Sequence, residues 1–297
     1  MAKPSWKGKT RGGVIGYKIF IFILRNLGVK SAYLLLRFVV IYFIFFAPKA
    51  SVSIFKYFRI AHSFNIFKSF ISIFKSYYLF GQTIIDKIVV YAGIKNSFKY
   101  TLTGEEHLRE IKKLNNGGIL ISAHLGSWDI AGYFLKRLDA SINIVMYEAE
   151  HENIKNLLQD VMGEKNWNVI PIKNDFSHIF LINEALSKKE IVCIHGDRYV
   201  ENSKVFRTDF FGKKAFMPAG PFKIASKLNA PYSFVHCVKD KSDHYQLYAT
   251  PLENQDDATE IFDAYVANLE KTVKQYPYQW FNYYNFWSEN ISGATIN

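Results

Sequence analysis

GGILISAHLGSWD, residues 117–129, is the stretch on which the reading of this chain turns. Asn115 and Asn116 precede it as a turn signal, the apolar run Ile119–Ile121 reads as a buried strand, and polar groups arrive where that run stops. In an open parallel sheet, ligands collect outside the carboxyl ends of the strands. His124 and Asp129 are five residues apart; on a helix they would point about 140° away from each other. They can meet only in a loop, which Gly126 permits.

Working outward, similar runs recur at 142–147, 168–172, 190–195, 230–238 and 245–250 and read as strands. Helical patterns fall at 105–114, 129–138, 151–164, 177–187, 219–229 and 257–275. This alternation predicts an α/β fold with a mixed, largely parallel central sheet flanked by helices. Only Cys193 and Cys237 are present, each in a β-rich run, which argues for reduced thiols and against a disulfide scaffold.

The net charge of +11 is concentrated in the first quarter of the chain. Residues 1–85 hold 13 Lys and Arg and no acid, so 24 basic residues face 26 acidic ones afterwards. The same quarter carries FIFILRNLGVKSAYLLLRFVVIYFIFFAPK from Phe20 and IFKYFRIAHSFNIFKSFISIFKSYYLF from Ile54. A nucleic-acid-binding tail is basic but poor in large apolar side chains, so we expect no nucleic-acid partner; basic residues among Phe, Ile and Leu suit an anionic lipid surface. Ser31–Ala47 is at the short limit for a span and contains Arg37, so it either crosses or lies in the interface. The expected division is a membrane-anchoring helical arm over 1–80 and an α/β domain over 81–297.

An imidazole held by a carboxylate is suited to general base catalysis, because the acid fixes the tautomer and steadies the imidazolium. His124 and Asp129 fit those roles; helix capping by Asp129 and a core position for His124 are the plainer alternative. Ser122 and Ser127 sit in no G-x-S-x-G elbow, so a substrate hydroxyl is the simpler nucleophile. HGDR at 195–198 also follows an apolar run and offers the forked guanidinium of Arg198 to an anionic substrate group, with Asp197 beside it as a further candidate for substrate binding. Glu150, with Glu148, follows a strand and is a further candidate for substrate binding, as is Arg207 near Lys213 and Lys214. The segment FFGKKAFMPAG has no G-x4-G-K-[ST] order and is no nucleotide loop; we expect a turn at Gly212 and a helix opening at Pro218. No histidine spacing suggests a metal site, and none is assigned. The aromatic tail YPYQWFNYYNFW, 276–287, is by default core.

HLGSWD resembles the H-x4-D/E signature of the lysophospholipid acyltransferase superfamily, in the form found in the lipid A biosynthesis (lauroyl/myristoyl) acyltransferase branch. FGQTIIDK at 80–87, EIVCIHGDR at 190–198, FFGKKAFMPAGPFKIASKLNAP at 210–231 and the aromatic tail look like that branch in the same order. Asp129 stands where lipid A enzymes commonly carry Glu. The resemblance implies transfer of a fatty acyl group from an acyl carrier protein or coenzyme A thioester to a hydroxyl of a membrane lipid or glycolipid, without cofactor or metal. It places the protein at the cytoplasmic face of a bacterial inner membrane, and sets no oligomeric state. A thioesterase or lipid hydrolase using the same pair, and a non-catalytic membrane-binding protein, are the other readings.

Overall fold

The computed structural model describes residues 13–114, 116–128, 130–131, 140–147, 167–173, 175, 177–199, 203–253, 257–287 and 295–296. Seven strands form one sheet: β1 (Lys99–Thr103), β2 (Gly118–Ser122), β3 (Ile142–Tyr147), β4 (Asn168–Ile172), β5 (Ile191–His195), β8 (Tyr232–Lys241) and β9 (His244–Ala249), in the order β1-β9-β8-β2-β5-β3-β4. All neighbours run parallel except β8 and β9, so the expected mixed, largely parallel sheet is present. β2 lies near its centre with Gly118–Ile121 buried, which is why its sequence is continuously apolar rather than alternating. At the edge, β1 (KYTLT) alternates exposed and half-buried residues and gives too weak an apolar signal to be read from the sequence.

The helices flanking the sheet are α5 (Glu105–Leu114), α6 (Ser177–Ser187), α7 (Gly220–Lys227) and α8 (Ala258–Gln275). The helix expected at 151–164, and that at 129–138 apart from residues 130–131, lie outside the described residues. β6 (Lys204–Phe210) and β7 (Lys213–Pro218) form an antiparallel hairpin that pairs with β10 (Thr295–Ile296) in a separate small sheet. Its two-residue turn holds Phe211 at φ 54° and Gly212 at φ 68°, the pair of positive values that matches strand twist. Pro218 therefore closes a strand instead of opening a helix; α7 begins at Gly220, with Pro221 in its first turn. There Pro221 costs no intrahelical bond.

The basic, aromatic quarter folds into α1 (Gly13–Asn26), α2 (Gly28–Phe46), α3 (Pro48–Ala61) and α4 (Ile66–Tyr91). Asn65 caps α4 by accepting from the Lys68 N–H at 2.8 Å. α4 runs unbroken past residue 80, where the sequence suggested the arm would end. Its inward face carries Ser69, Ser72 and Ser76 at helical spacing, and the Tyr77 and Phe80 rings meet Tyr283 and Phe281 at centroid separations of 5.3 and 5.0 Å. Trp280, Phe281 and Phe286 of the aromatic tail are buried, as its default assignment required.

The outward faces are different. On α2, Leu34, Phe38, Ile41, Tyr42, Phe45 and Phe46 are exposed, Phe38 by 65% and Phe45 by 71%. Ile66, Phe67 and Phe70 of α4 are exposed as well. α2 has the length and composition to cross a bilayer, with 17% of its most apolar 18-residue window buried. A solvent-facing surface of this kind marks an interaction site.

A buried ion pair ties arm to sheet. Lys239 at the end of β8 reaches Asp86 of α4 at 2.5 Å, and the hydroxyls of Tyr33 (α2) and Tyr245 (β9) also donate to that carboxylate. Both charged side chains are essentially sealed from solvent, so removing one partner strands the other. Asp86→Ala is expected to destabilise the fold by about 3–5 kcal/mol in denaturant titrations, whereas the apolar pair Asp86→Leu/Lys239→Met recovers most of that loss. Equal losses in the two variants would show that the penalty is packing, not a stranded charge.

Candidate active site

The register of the parallel sheet builds the site. Ser122 of β2 lies opposite His195 of β5, so His124 and Asp197, each two residues further on, leave the same edge of the sheet side by side. His124 Nδ1 is 2.8 Å from Asp197 Oδ1, and the His124 backbone N–H donates to Asp197 Oδ2 at 3.0 Å. The indole Nε1–H of Trp280 adds a third donor to Oδ2 at 3.1 Å. Asp197 is fully buried, which opposes its ionisation, but the adjoining imidazole, the hydrogen bond from it and the Arg198 guanidinium outweigh burial and hold the carboxyl below its ordinary range. A charged Asp197 can only accept, so Nδ1 of His124 carries the hydrogen. In the neutral ring, Nε2 is then left with a free lone pair.

Four backbone contacts fix this geometry. Phe281 N–H donates to the His124 carbonyl at 2.9 Å, Gly126 N–H to the Gln279 carbonyl at 2.8 Å, and Ser127 N–H to the Cys237 carbonyl at 2.6 Å, so the loop is stitched between β8 and the C-terminal segment. Gly196 N–H donates to the Ser122 carbonyl at 2.9 Å and locks the β5 exit to β2. Gly126 sits at φ +66°, and a Cβ there would stand 2.0 Å from the Cys237 carbonyl oxygen, so no other residue fits this crossing.

His195 packs against the His124 ring at 4.5 Å between centroids, and Trp128 stands edge-on to both imidazoles at 5.2 and 5.6 Å. Ser122 Oγ is 2.7 Å from His195 Nδ1 and not bonded to His124. Burial, then the neighbouring His124, push His195 down to about 3, so it is neutral under ordinary conditions. Burial likewise lowers His236, whose Nε2 meets Asn268 Oδ1 at 2.8 Å.

These two rings have a consequence for stability. In the unfolded chain they take up protons as pH falls below about 6.5, while the folded protein keeps them neutral, so stability is complete above that pH and declines below it. For His195 the loss grows by up to about 1.4 kcal/mol per pH unit, and His236 adds to it with the same sign. The depressed Asp197 adds a loss of the same sign below about pH 4. Melting temperatures between pH 7.5 and 4.5 are expected to fall, and His195→Gln to flatten the fall; an unaltered slope in that variant would remove His195 from the cause.

The expected site residues are placed unequally. His124, Asp197 and Arg198 come together; Asp129 and Glu150 lie outside the described residues. Arg198 donates Nε–H to Asn282 Oδ1 at 2.8 Å and an Nη2 hydrogen to the Phe281 carbonyl at 2.7 Å, bracing the segment that supports His124. The substrate anion expected from the sequence would have to use its remaining donors. Arg198→Lys separates the two roles: a brace needs the planar fork and loses stability as fully as Arg198→Ala, by about 1–3 kcal/mol, whereas an anion site keeps much of its affinity with lysine. Unfolding curves and Michaelis constants of the two variants decide this. Arg207 stands exposed on β6 and shares no hydrogen bond or ion pair with the His124 cluster. The sequence reading missed Trp280 and Asn282 as supports, since both sit in an aromatic run that signals core.

The chain matches the family model described as bacterial lipid A biosynthesis acyltransferase over residues 73–288. It is 24% identical over 191 residues to a phosphatidylinositol mannoside acyltransferase of Mycobacterium tuberculosis (strain H37Rv), a match covering 64% of this chain and 60% of that protein. The protein of the same name from Mycolicibacterium smegmatis is 25% identical over 189 residues, covering 63% of this chain and 62% of the relative. The match thus spans about 60% of the length of these curated relatives. The crystal structure of the 1-acyl-sn-glycerophosphate acyltransferase PlsC from Thermotoga maritima superposes with a TM-score of 0.40 at 14% identity, covering 84% of this chain and 98% of that one. With the family model matched over most of its length, the chain belongs to the bacterial lipid A biosynthesis acyltransferase family.

Proposed function

We propose that this protein transfers a fatty acyl group from a thioester, carried by an acyl carrier protein or coenzyme A, to a hydroxyl of a lipid or glycolipid at a membrane surface. The observation that carries the proposal is the buried His124–Asp197 pair, gripped by three donors at the carboxyl edge of the sheet in a chain of this family. His124 Nε2 takes the proton of the acceptor hydroxyl as its oxygen attacks the thioester carbonyl carbon. Asp197 orients the ring and stabilises the imidazolium. Collapse of the tetrahedral intermediate forms the ester and breaks the carbon–sulfur bond, and the imidazolium returns its proton to the departing thiolate. The thioester is already activated, so no enzyme nucleophile, cofactor or metal is called for. Asp129 belongs to the same motif and enters the proposal as a second carboxylate at the site.

The exposed apolar faces of α2 and α4, among cations, support attachment of the arm to a bilayer, either spanning it or lying in its interface. We place the catalytic domain on the cytoplasmic side of a bacterial inner membrane, where acyl thioesters are made. The names of the mycobacterial relatives favour a glycolipid acceptor. Lipid mass spectrometry of cells with and without the protein tests the whole reading. One lipid species should gain an acyl mass only when the protein is present, and purified protein should consume thioester only when that lipid is supplied. Release of free fatty acid without an acceptor would make it a hydrolase instead.

A further inference from the structure

A concavity of about 870 Å³ is lined by none of His124, His195 and Asp197. Its walls include Lys30, Leu34 and Arg37 of α2, Tyr78 of α4, Lys241 at the end of β8 and Tyr276 beyond α8. Three cationic side chains thus converge on one hollow. Lys239, also in the lining, is paired with Asp86, which leaves Asp240, 2.6 Å from His244, as the single acid among the lining residues against the three cations. Among the described residues, Lys30, Arg37 and Lys241 have no carboxylate partner. Like charges gathered around a concavity focus a positive field that an anion relieves, and the arginine fork matches phosphate oxygens.

The same face of α2 continues beyond the cations. Lys30, Leu34, Arg37, Ile41 and Phe45 follow one another at intervals of three or four residues and form a single strip. The cations occupy about 10 Å of that strip, and exposed Ile41 and Phe45 extend it by about 12 Å. Charge at one end and bare hydrocarbon surface at the other match an amphiphile, not a free anion.

From this juxtaposition we infer that the cavity between α2, α4 and the β8–β9 turn binds the phosphate of an anionic phospholipid, whose acyl chains lie along the exposed strip of α2. The site holds a lipid as an anchor beside the catalytic loop and is separate from the place where the acceptor reacts. The inference rests on the membrane reading above.

The test is calorimetric titration of the full chain in non-ionic detergent with short-chain phosphatidylglycerol, phosphatidylcholine of the same chain length, and inorganic phosphate. We expect saturable one-to-one binding of phosphatidylglycerol and at least about tenfold weaker binding of the other two. Lys30→Gln/Arg37→Gln should weaken phosphatidylglycerol binding at least about tenfold, while Lys49→Gln/Lys56→Gln, which removes equal charge from exposed positions on α3, should not. Equal losses in both double variants would reduce the effect to diffuse attraction and overturn the site. So would inorganic phosphate binding as tightly as the lipid, or no binding at all. Flotation with phosphatidylcholine vesicles reads the membrane proposal separately: a protein that floats but fails the titration loses only the site, and one that titrates but does not float loses only the membrane attachment.

Discussion

Replacing His124 with alanine or asparagine is expected to lower acyl transfer by about 10²–10⁴-fold, the usual worth of a general base. The asparagine variant is the sharper test of chemistry, because its amide still offers Asp197 a donor near the position of Nδ1 and so spares the buried carboxylate from isolation. Its unfolding midpoint should therefore exceed that of the alanine variant while its rate is equally poor. Turnover near the wild-type value in either protein would end the case for this imidazole as the base.

Asp197→Asn is expected to be nearly as damaging, with transfer reduced on the order of 10³-fold. The side chain keeps its size and its place beside Trp280, but a neutral amide no longer stabilises the imidazolium or enforces the tautomer that leaves Nε2 unprotonated. Asp129→Asn, measured in the same assay, separates the two carboxylates. If Asp197 is the orienting acid, its variant suffers the larger loss in rate with little change in the Michaelis constant. An active Asp197→Asn beside an inactive Asp129→Asn would hand that role to the aspartate of the H-x4-D motif.

The sequence made His124 legible because an apolar run ending in a polar loop is a strand end, and strand ends in α/β sheets are where sites assemble. It pointed to Asp129, five residues on in the H-x4-D pattern, as the partner, and that residue lies outside the described ones. Asp197 lies 73 residues away from His124, and the two meet because β2 and β5 are neighbours in register. Strand order is a tertiary fact that no local pattern carries. HGDR was recognised as a polar exit from a buried run, so the signal existed, but nothing in it said which other exit it faced. The β6–β7 hairpin was missed for a different reason. The turn at Gly212 was read, but the strands beside it mix charged and apolar residues, and Phe211, the other positive-φ position, is not a residue that signals a hairpin. The buried aromatic tail was correctly assigned to the core, yet that assignment concealed its second duty, since Trp280, Phe281 and Asn282 also hold Asp197, His124 and Arg198.

The Asp86–Lys239 pair bears on how this protein can be taken apart. The Gln279 side chain accepts from the Lys239 backbone N–H at 2.8 Å and donates to its carbonyl at 2.7 Å, and the Gln279 carbonyl in turn receives the Gly126 N–H of the His124 loop. A helix of the greasy quarter is therefore riveted, through Lys239 and Gln279, to the loop that carries His124. Trimming that quarter to obtain a tractable soluble fragment, or grafting one from a cousin, would disturb the His124 loop even though no atom of that loop was touched.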